Sequence, residues 1–541
     1  MVSSNRWPEP CRFLLTISLS ISPFGKGGEG GLTCSASRSD GSDDLNACPL
    51  RECLAMISHT KTLNFGRPAR IFQEISNHDR LPNTMSLSNP LEAPLDLRFS
   101  PLGLLHRNQV RAAVLAGAPE MLRLALEREN GHVTVFQTAI GAPNEPTTLL
   151  HAERLTKFLL WSAGGWRLSV SAPTEVVDHL THAYSREGAR AFDVELMEKI
   201  YEKSFEVVSV RLEDFPASHE SATALGGNLD GCRIGFDLGA SDYKVAAVLD
   251  GEVVYSDEFP WNPKDQTDPE YHYQHLNEGL RKAAAHLPRV DAIGGSSAGV
   301  IVDNRFMVAS LLRSIPEDQL PKARDLFLRL REEWGVPFEV ANDGDITALA
   351  GAMSLGVTGL LGIAMGSSEA AGYINPAGKM TGWLNELAFA PVDINPEAPA
   401  DEWSGDRGVG ALYFSQQAVN KLLPAAGIEV SADLGLPERL KHVQALMADG
   451  DPAAAAIYET VGVYLGHALP LYAEFYQIRH VLVLGRVTTG EGGNIVLHHA
   501  KAVLERDYPD LAGTIELHLP DEKSRRVGQA VAAASLPKSA T

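Results

Sequence analysis

The chain has few cysteines, few aromatic residues and no long apolar run. Of the five cysteines among its 541 residues, only Cys232 lies beyond residue 53. The other four are irregularly spaced in a segment rich in serine and glycine, which is not the pattern of a disulfide-built secreted domain or a four-cysteine zinc ribbon. No stretch approaches the roughly 20 apolar residues of a membrane span. These absences favour a reducing, cytoplasmic location and argue against a membrane partner.

An excess of basic residues is also missing. The chain has 68 acidic and 47 basic side chains, which gives a formal net charge of −21. Residues 1–85 carry 9 basic and 8 acidic side chains, so the negative charge belongs to the remainder. Such a balance repels the phosphate backbone of nucleic acids. We therefore expect no nucleic-acid partner.

Residues 1–85 predict a disordered tail, or a translation start assigned too far upstream with Met56 and Met85 as later starts. Phe13–Phe24 forms a short apolar run behind two arginines, but serines interrupt it and no clean small-residue cleavage site follows. A signal peptide is the alternative interpretation of this run.

Residues 90–212 predict an accessory α/β or α+β module, and residues 213–230, rich in small and polar side chains, predict a linker. Within the module, Arg107–Arg128 has a helical pattern and His132–Ala139 alternates like a strand. The module contains no glycine-rich phosphate loop. Three of its histidines fit ordinary helix or surface positions better than metal-ligand positions: His151, His179 and His182.

Beyond residue 230, strand meanders alternate with helices in two successive halves. This pattern is typical of two packed α/β lobes with a cleft between them. We predict a first lobe over residues 231–345 and a second over residues 346–524. The closing helix, residues 525–537, is expected to return to the first lobe.

The first group of candidate site residues is in the segment IGFDLGASDYK. Asp237 ends an apolar strand, and Gly239 and Ser241 lie in the turn that follows, three residues before Lys244. Backbone N–H groups of such a turn can face a phosphate, and the adjacent carboxylate can hold Mg²⁺ through water. By itself the pattern also fits an ordinary hairpin.

A second group follows the strand PFEVA. Asp343 stands where the strand ends and a helix begins, so its carboxylate is placed to accept a proton from a substrate hydroxyl. The amide of Asn342 can hold neighbouring hydroxyls of a sugar. Helix capping by either residue is the structural alternative.

Two further loops have the composition of nucleotide-binding turns. Gly366 and Ser367 lie in a small-residue hairpin similar to the first one. Gly485 follows the apolar strand VLVL and precedes a loop rich in glycine and threonine, which could hold an adenosine.

Taken in this order, the motifs resemble those of the ROK family of sugar kinases and related repressors, over about residues 230–538. The closest match is GVPFEVANDGDITALAGA; GGSSAGVIVDNR resembles the sugar-side loop, and MGSSEAAGYINPAGKMTGWLNEL resembles the second phosphate motif with the sugar-binding glutamate. The resemblance implies a two-lobed actin-like ATPase fold of the ribonuclease H-like type. It also implies a kinase that uses ATP and Mg²⁺ to phosphorylate a sugar, and it leaves a homodimer open.

The resemblance assigns a role to each candidate residue. Asp343 is the catalytic base; the sugar ligands are Asn342, Glu386, Ser297 and Gly299; the nucleotide ligands are Asp237, Gly239, Ser241, Lys244, Gly366, Ser367 and Gly485; and Asp237 also holds Mg²⁺ through water.

The chain departs from the family pattern at two places. The second phosphate loop reads Gly-Ser-Ser-Glu-Ala at residues 366–370 where the family has Gly-Thr-Gly-x-Gly, which puts side chains where backbone approaches phosphate. No cysteine or histidine occurs between Leu387 and Arg407, so the family's structural zinc is not expected. A non-catalytic, sugar-binding regulatory or scaffold protein is therefore the alternative function. DNA binding is disfavoured, because Leu104–Arg128 lacks a second helix with a basic face.

Overall fold

The computed structural model describes residues 90–117, 119–220, 226–239, 241–520 and 524–538, without the side chains of residues 524–527. The predictions for the N-terminal apolar run, the first four cysteines and the alternative starts lie outside these residues. All of the described residues belong to one compact unit. Within them, no helix is both long enough and apolar enough to cross a membrane.

The N-terminal part of the described chain is a four-stranded sheet, in the order β2-β1-β3-β4, covered by helices. In chain order its elements are α1 (Leu102–Leu115), β1 (Glu120–Glu127), β2 (Val133–Ile140), α2 (Pro146–Ala163), β3 (Arg167–Ser171), α3 (Thr174–Ala183), α4 (Ala191–Tyr201) and β4 (Glu206–Ser209).

The helix predicted over Arg107–Arg128 is wrong beyond Leu115. Gly117 has φ 87°, a left-handed conformation that ends the helix. The following residues form β1, which pairs antiparallel with β2. The alternating residues Leu122, Leu124 and Leu126 are buried, so the two-residue period of a strand prevails over helical propensity in this segment.

The first lobe contains a five-stranded sheet in the order β11-β8-β5-β6-β7. Strands β5, β6 and β7 form an antiparallel meander, whereas β8 and β11 run parallel to β5. Its elements are β5 (Cys232–Leu238), β6 (Asp242–Leu249), β7 (Glu252–Pro260), α5 (Pro269–Ala284), β8 (Ala292–Ser297), β9 (Val300–Val302), β10 (Arg305–Val308), α6 (Leu320–Arg324), α7 (Leu326–Trp334) and β11 (Phe338–Asn342).

The second lobe repeats this arrangement with one strand fewer. Its sheet has the order β13-β12-β14-β15, in which β12 and β13 are antiparallel and β14 and β15 run parallel to β12. This repeat confirms the predicted two-lobed, ribonuclease H-like architecture. The remaining elements are α8 (Asp343–Leu355), β12 (Leu360–Met365), β13 (Glu369–Ile374), α9 (Gln416–Ala426), α10 (Leu436–Ala448), α11 (Pro452–Phe475), β14 (His480–Leu484), α12 (Glu491–Asp507), α13 (Pro509–Ala512), β15 (Glu516–His518) and α14 (Ser524–Ala534).

The C-terminal helix α14 packs on the sheet of the first lobe, against β5 and β8. Glycines allow this close approach, because a Cβ atom on Gly235 would lie 1.8 Å from the Ala530 carbonyl oxygen and one on Gly294 would lie 1.7 Å from that of Ala533. The chain end is also held by Arg233, whose Nη1 donates to the Pro537 carbonyl at 2.8 Å.

The hydrophobic core of the second lobe is continuous with that of the N-terminal module, and Val300 and Met307 from β9 and β10 of the first lobe join it. Most of the first lobe's core forms a separate cluster. Phe136 of β2 stacks on Phe475 at the end of α11, with ring centroids 4.3 Å apart. Trp161 of α2 packs against Phe389, with centroids 4.5 Å apart. The segment predicted as a linker contacts β2 through the pairing of His219 with Val133 and through a hydrogen bond from Thr134 Oγ1 to the Glu220 carboxylate. The module is thus part of the second lobe's packing.

Candidate active site

The carboxyl ends of β5, β8 and β11 meet at one edge of the first-lobe sheet. In the parallel register, Asp237 pairs with Ser296, and both Leu238 and Asn342 pair with Ser297. This edge is where parallel α/β sheets place their ligands. The predicted residues Asp237, Ser297 and Asn342 are therefore brought together by strand pairing alone.

Asn342 connects this edge to the neighbouring loop. Its Oδ1 accepts a hydrogen bond from the Gly344 amide at 2.7 Å, which caps α8. Its Nδ2 donates to the Gly299 carbonyl at 2.9 Å. Gly299 has φ 107°, so the loop turns there in a conformation that favours glycine. Asn342 therefore caps α8 and contacts the predicted sugar-side loop with the same side chain.

Asp343 is the first residue of α8 and remains partly exposed. Burial, together with the negative charge of Asp237, raises the pKa of Asp343 to about 6. Its Oδ1 accepts a hydrogen bond from the Gly344 amide at 3.0 Å, which opposes the shift. A carboxylate in this range is close to the pKa that suits proton transfer near neutral pH.

The first phosphate hairpin joins β5 to β6. The Gly239 amide donates to the Asp242 carbonyl at 3.0 Å, and the Trp261 indole donates to the Gly239 carbonyl at 2.9 Å. Ser241 is exposed, and its hydroxyl donates to the Asp242 carboxylate at 2.9 Å. Lys244 lies opposite Asp237 in the register but is also 3.8 Å from Glu258. Burial raises the pKa of Asp237, and the charge of Lys244 only partly offsets this.

Glu386 lies in a loop held by the N-terminal module. Its amide donates to the Trp161 carbonyl at 3.0 Å, and the Asn385 amide donates to the Ser162 carbonyl at 2.9 Å. Both carbonyls belong to the last turn of α2. Burial and the charges of Asp343 and then Asp345 raise the pKa of Glu386 to about 7. The module therefore positions the predicted sugar-binding glutamate, and Glu386 lies within electrostatic range of Asp343.

Two residues that the sequence analysis did not single out support this loop. Asn385 is part of the loop, and Asp345 contacts it from α8. Asn385 has φ 51°, and its Nδ2 donates to Asp345 at 2.8 Å while its Oδ1 accepts from Tyr476 at 3.0 Å. Asp345 is buried, which raises its pKa to about 7. Their positions in the sequence could have indicated them, because Asp345 follows Asp343 by two residues and Asn385 immediately precedes Glu386.

The second phosphate hairpin joins β12 to β13. Its turn is closed by a hydrogen bond of 3.0 Å from the Gly366 amide to the Ser368 carbonyl, and both Ser367 and Ser368 are exposed. Gly485 packs against the end of β12, since a Cβ atom there would lie 2.5 Å from the Met365 carbonyl oxygen. Gly366, Ser367 and Gly485 thus form a second group, at the carboxyl ends of β12 and β14.

The side chain of Glu369 in this hairpin points into the interior. It is 4% exposed, and neither carboxylate oxygen has a hydrogen-bond partner among the described residues. Burial, followed by the charge of Glu386, raises the pKa of Glu369 to about 8. The glutamate therefore does not occupy the turn itself, and only the two serines present side chains there.

The loop after Glu386 is anchored to the module by buried charges. Asp406 lies 2.7 Å from Arg190, 2.6 Å from Arg154 and 3.3 Å from Lys157, and the same lysine is 2.6 Å from Asp193. Burial alone would raise the pKa of Asp406, but these cations lower it. This network lies in the segment that has no cysteine or histidine ligands for a structural zinc.

No family model and no curated protein matches the chain. Among solved structures, the chain is similar to the ROK hexokinase from Thermus thermophilus, with 19% identity over 57% of this chain and 97% of that chain, at a TM-score of 0.45. It is also similar to a ROK family glucokinase from Streptomyces griseus, solved with glucose and AMPPNP, with 19% identity over 57% and 99% of the two chains, at a TM-score of 0.41.

A third similar structure is a ROK family transcriptional regulator, a homolog of the E. coli MLC protein, with 21% identity over 57% of this chain and 79% of that chain, at a TM-score of 0.44. These three structures are ROK family proteins, in agreement with the resemblance of the motifs. All three TM-scores are below 0.5, and the two-lobed fold is defined by the strand orders given above.

Proposed function

We propose that this chain is a sugar kinase that transfers the γ-phosphate of ATP to a sugar hydroxyl, with Asp343 as the general base. The observation that carries the proposal is the position and ionisation of Asp343. It is partly exposed at the carboxyl end of β11, its pKa is raised to about 6, and its charge contributes to the raised pKa of Glu386. A base of this kind takes the proton of the attacking hydroxyl as its oxygen bonds to phosphorus and ADP leaves.

The sugar would lie between the β8–β11 edge and the Glu386 loop. Asn342 keeps one Nδ2 hydrogen available, because the other is donated to Gly299. The partly exposed carboxylate of Glu386 can accept sugar hydroxyls. Gly299 brings the backbone of the sugar-side loop close, and Ser297 is buried beneath it and supports the loop from β8. These contacts orient a polyhydroxylated substrate toward Asp343.

The nucleotide phosphates would lie between the turns at Gly239–Ser241 and Gly366–Ser367, with the adenosine near Gly485. Asp237 suits a Mg²⁺ ligand, because it is a carboxylate with a raised pKa whose nearest cation, Lys244, is shared with Glu258. When bound, Mg²⁺ would neutralise phosphate charge. Catalysis by this chain's own residues then consists of positioning the hydroxyl and accepting its proton.

Substitution of Asp343 tests the proposal. We expect Asp343→Asn in the full-length chain to lower kcat by about 10²–10⁴-fold, the usual contribution of a general base, with sugar affinity retained. Asp345→Asn is the matched control, since an amide oxygen can still accept the hydrogen bonds from Asn385 and Tyr373. The measurement is a coupled assay of ADP release with a panel of sugars. No turnover with any sugar, together with no ATP binding by calorimetry, would overturn the kinase assignment.

One observation favours a non-catalytic, sugar-binding regulatory or scaffold protein as the second candidate. Ser367 and Ser368 place side chains at the tip of the second hairpin, with the buried carboxyl of Glu369 next to them in the chain. The exposed serine side chains disfavour close approach of phosphate. Calorimetry separates the two candidates, because this second function predicts sugar binding without ATP binding.

A further inference from the structure

Three side chains with metal-binding atoms converge at the edge of the second-lobe sheet. His480 begins β14, and Glu516 and His518 are the first and last residues of the edge strand β15. Gly485 follows the opposite end of β14. The group therefore lies away from the candidate active site, and nothing in the proposed kinase chemistry uses it.

Strand pairing explains why the three side chains meet. His480 pairs with Glu516 and Leu482 pairs with His518 in the parallel register of β14 and β15. Glu516 and His518 are two residues apart, so they face the same side of the sheet, and the residue paired with Glu516 faces that side too. The backbone register therefore places the three residues on one face of the sheet, whichever rotamer each side chain adopts.

The distances between the ligand atoms are those of a metal site. His480 Nδ1 lies 3.1 Å from His518 Nε2 and 3.5 Å from Glu516 Oε2, and the last two atoms are 3.8 Å apart. Zinc binds nitrogen and oxygen ligands at about 2.0–2.2 Å, which separates neighbouring ligand atoms of a tetrahedron by about 3.4 Å. No displacement beyond a few tenths of an ångström is needed to complete such a site.

We propose that His480, Glu516 and His518 bind one divalent transition-metal ion of the zinc class. Two imidazoles and one carboxylate suit zinc, and they leave a fourth position open to water. The side chains of His480 and His518 are 17% and 23% exposed, so the ion can enter from solvent. This site differs in place and ligands from the family's structural zinc, which residues 387–407 cannot form.

The metal would fasten β15 to the sheet. This strand has three residues and pairs only with β14 among the described strands, which makes it the weakest attachment of the second-lobe sheet. It also precedes α14, the helix that packs on the first lobe. Binding to the folded form alone would stabilise the protein by mass action.

Titration of the metal-free, untagged full-length chain with Co²⁺ and Zn²⁺ tests the proposal. We expect one Co²⁺ per chain, with the visible absorption of a tetrahedral site, displacement by Zn²⁺, and a higher Tm with either ion. Removal of an outer-shell partner costs a metal site about 10–100-fold in affinity, so His480→Ala and His518→Ala should weaken binding by at least the upper value.

His498→Ala and His499→Ala are the matched controls. These histidines also lie close together, with ring centroids 5.2 Å apart, but they are consecutive residues of α12. They should leave Co²⁺ binding unchanged. Glu516→Gln provides a variant at an exposed position, 72% accessible, in case a histidine variant fails to fold, and it should also weaken binding. Absence of a tetrahedral spectrum, or unchanged stoichiometry and affinity in the β14 and β15 variants, would overturn the proposal.

Discussion

The two lobes have the same strand arrangement but differ in how they are packed. Most of the first lobe's hydrophobic core is a separate cluster, with Val300 and Met307 joining the module's core, whereas the second lobe shares its core with the N-terminal module. The module also holds the Glu386 loop through backbone carbonyls of Trp161 and Ser162. A repeated topology therefore does not require repeated packing. In this protein the lobe that shares its core with the module is also the lobe whose hairpin carries two exposed serines.

The hairpins of the two lobes also differ, in the position and burial of their acidic residues. In the first, Asp237 stands before the turn and stays partly exposed at the strand end. In the second, Glu369 stands after the turn and is buried without a partner among the described residues. An acidic residue in the first hairpin can reach a ligand, whereas the one in the second affects the stability of the fold.

The largest effect is expected from breaking the connection between module and second lobe. Lys157→Met removes the cation between Asp193 and Asp406, two carboxylates that are nearly inaccessible to solvent. We expect a loss of about 3–5 kcal/mol in the free energy of unfolding, because a buried charge left without its partner is costly. Chemical denaturation followed by circular dichroism measures this.

Lys282→Met is the control in the first lobe, where Lys282 and Glu278 form an exposed pair at 2.8 Å on α5. Exposed pairs contribute at most about 1 kcal/mol. If the two lysine variants lost the same stability, the buried network would not be what anchors the second lobe to the module.

A smaller effect should separate the corresponding glycines of β5 and β12. A Cβ atom on Gly235 would lie 1.8 Å from the backbone oxygen of Ala530, whereas one on Gly362 would lie 3.2 Å from the Cβ atom of Ala348. We expect Gly235→Ala to cost about 1–3 kcal/mol through overpacking against α14, and Gly362→Ala to cost less than about 1 kcal/mol. Urea unfolding of both variants gives the comparison, and a reversed order would show that the two helices do not pack as described.

Measured per pH unit, the smallest effect is expected from the titration of Glu369. Glu369 keeps its proton in the folded protein up to a pKa of about 8, whereas the unfolded chain loses it near 4.5. The folded state thus binds more protons between these values, and this residue makes stability fall as pH rises through that window. Glu369→Gln should remove this decline in the free energy of unfolding, which amounts to on the order of 1 kcal/mol per pH unit.

Unfolding free energies at pH 5 and pH 8 check this prediction. Ser368→Ala is the control, because it changes an exposed neighbour without removing an ionisable group, and it should leave the slope unchanged. An identical slope for Glu369→Gln and the parent chain would mean that the Glu369 carboxyl is ionised at no cost in the fold.

Much of the fold could be predicted from the sequence, because it depends on local periodicity. Strand β2 (Val133–Ile140) is shifted by one residue from the predicted His132–Ala139, and α14 (Ser524–Ala534) lies at the predicted closing helix, residues 525–537. The pattern failed over Glu120–Glu127, where leucines spaced by two residues lie in a segment of otherwise helix-favouring composition. Pairing with β2 decided that segment, and such pairing is not encoded within it.

The candidate site shows the same division between what a local pattern predicts and what tertiary packing decides. The sequence by itself determined the residues at strand ends, Asp237, Asn342 and Asp343, because the carboxyl ends of parallel strands necessarily meet at one edge of a sheet. Only the tertiary structure decided that α2 holds Glu386, that Asp345 and Asn385 lie beneath it, and that Glu369 points inward. Those contacts join segments 40 to more than 200 residues apart, and they arise from packing between elements that no local pattern specifies.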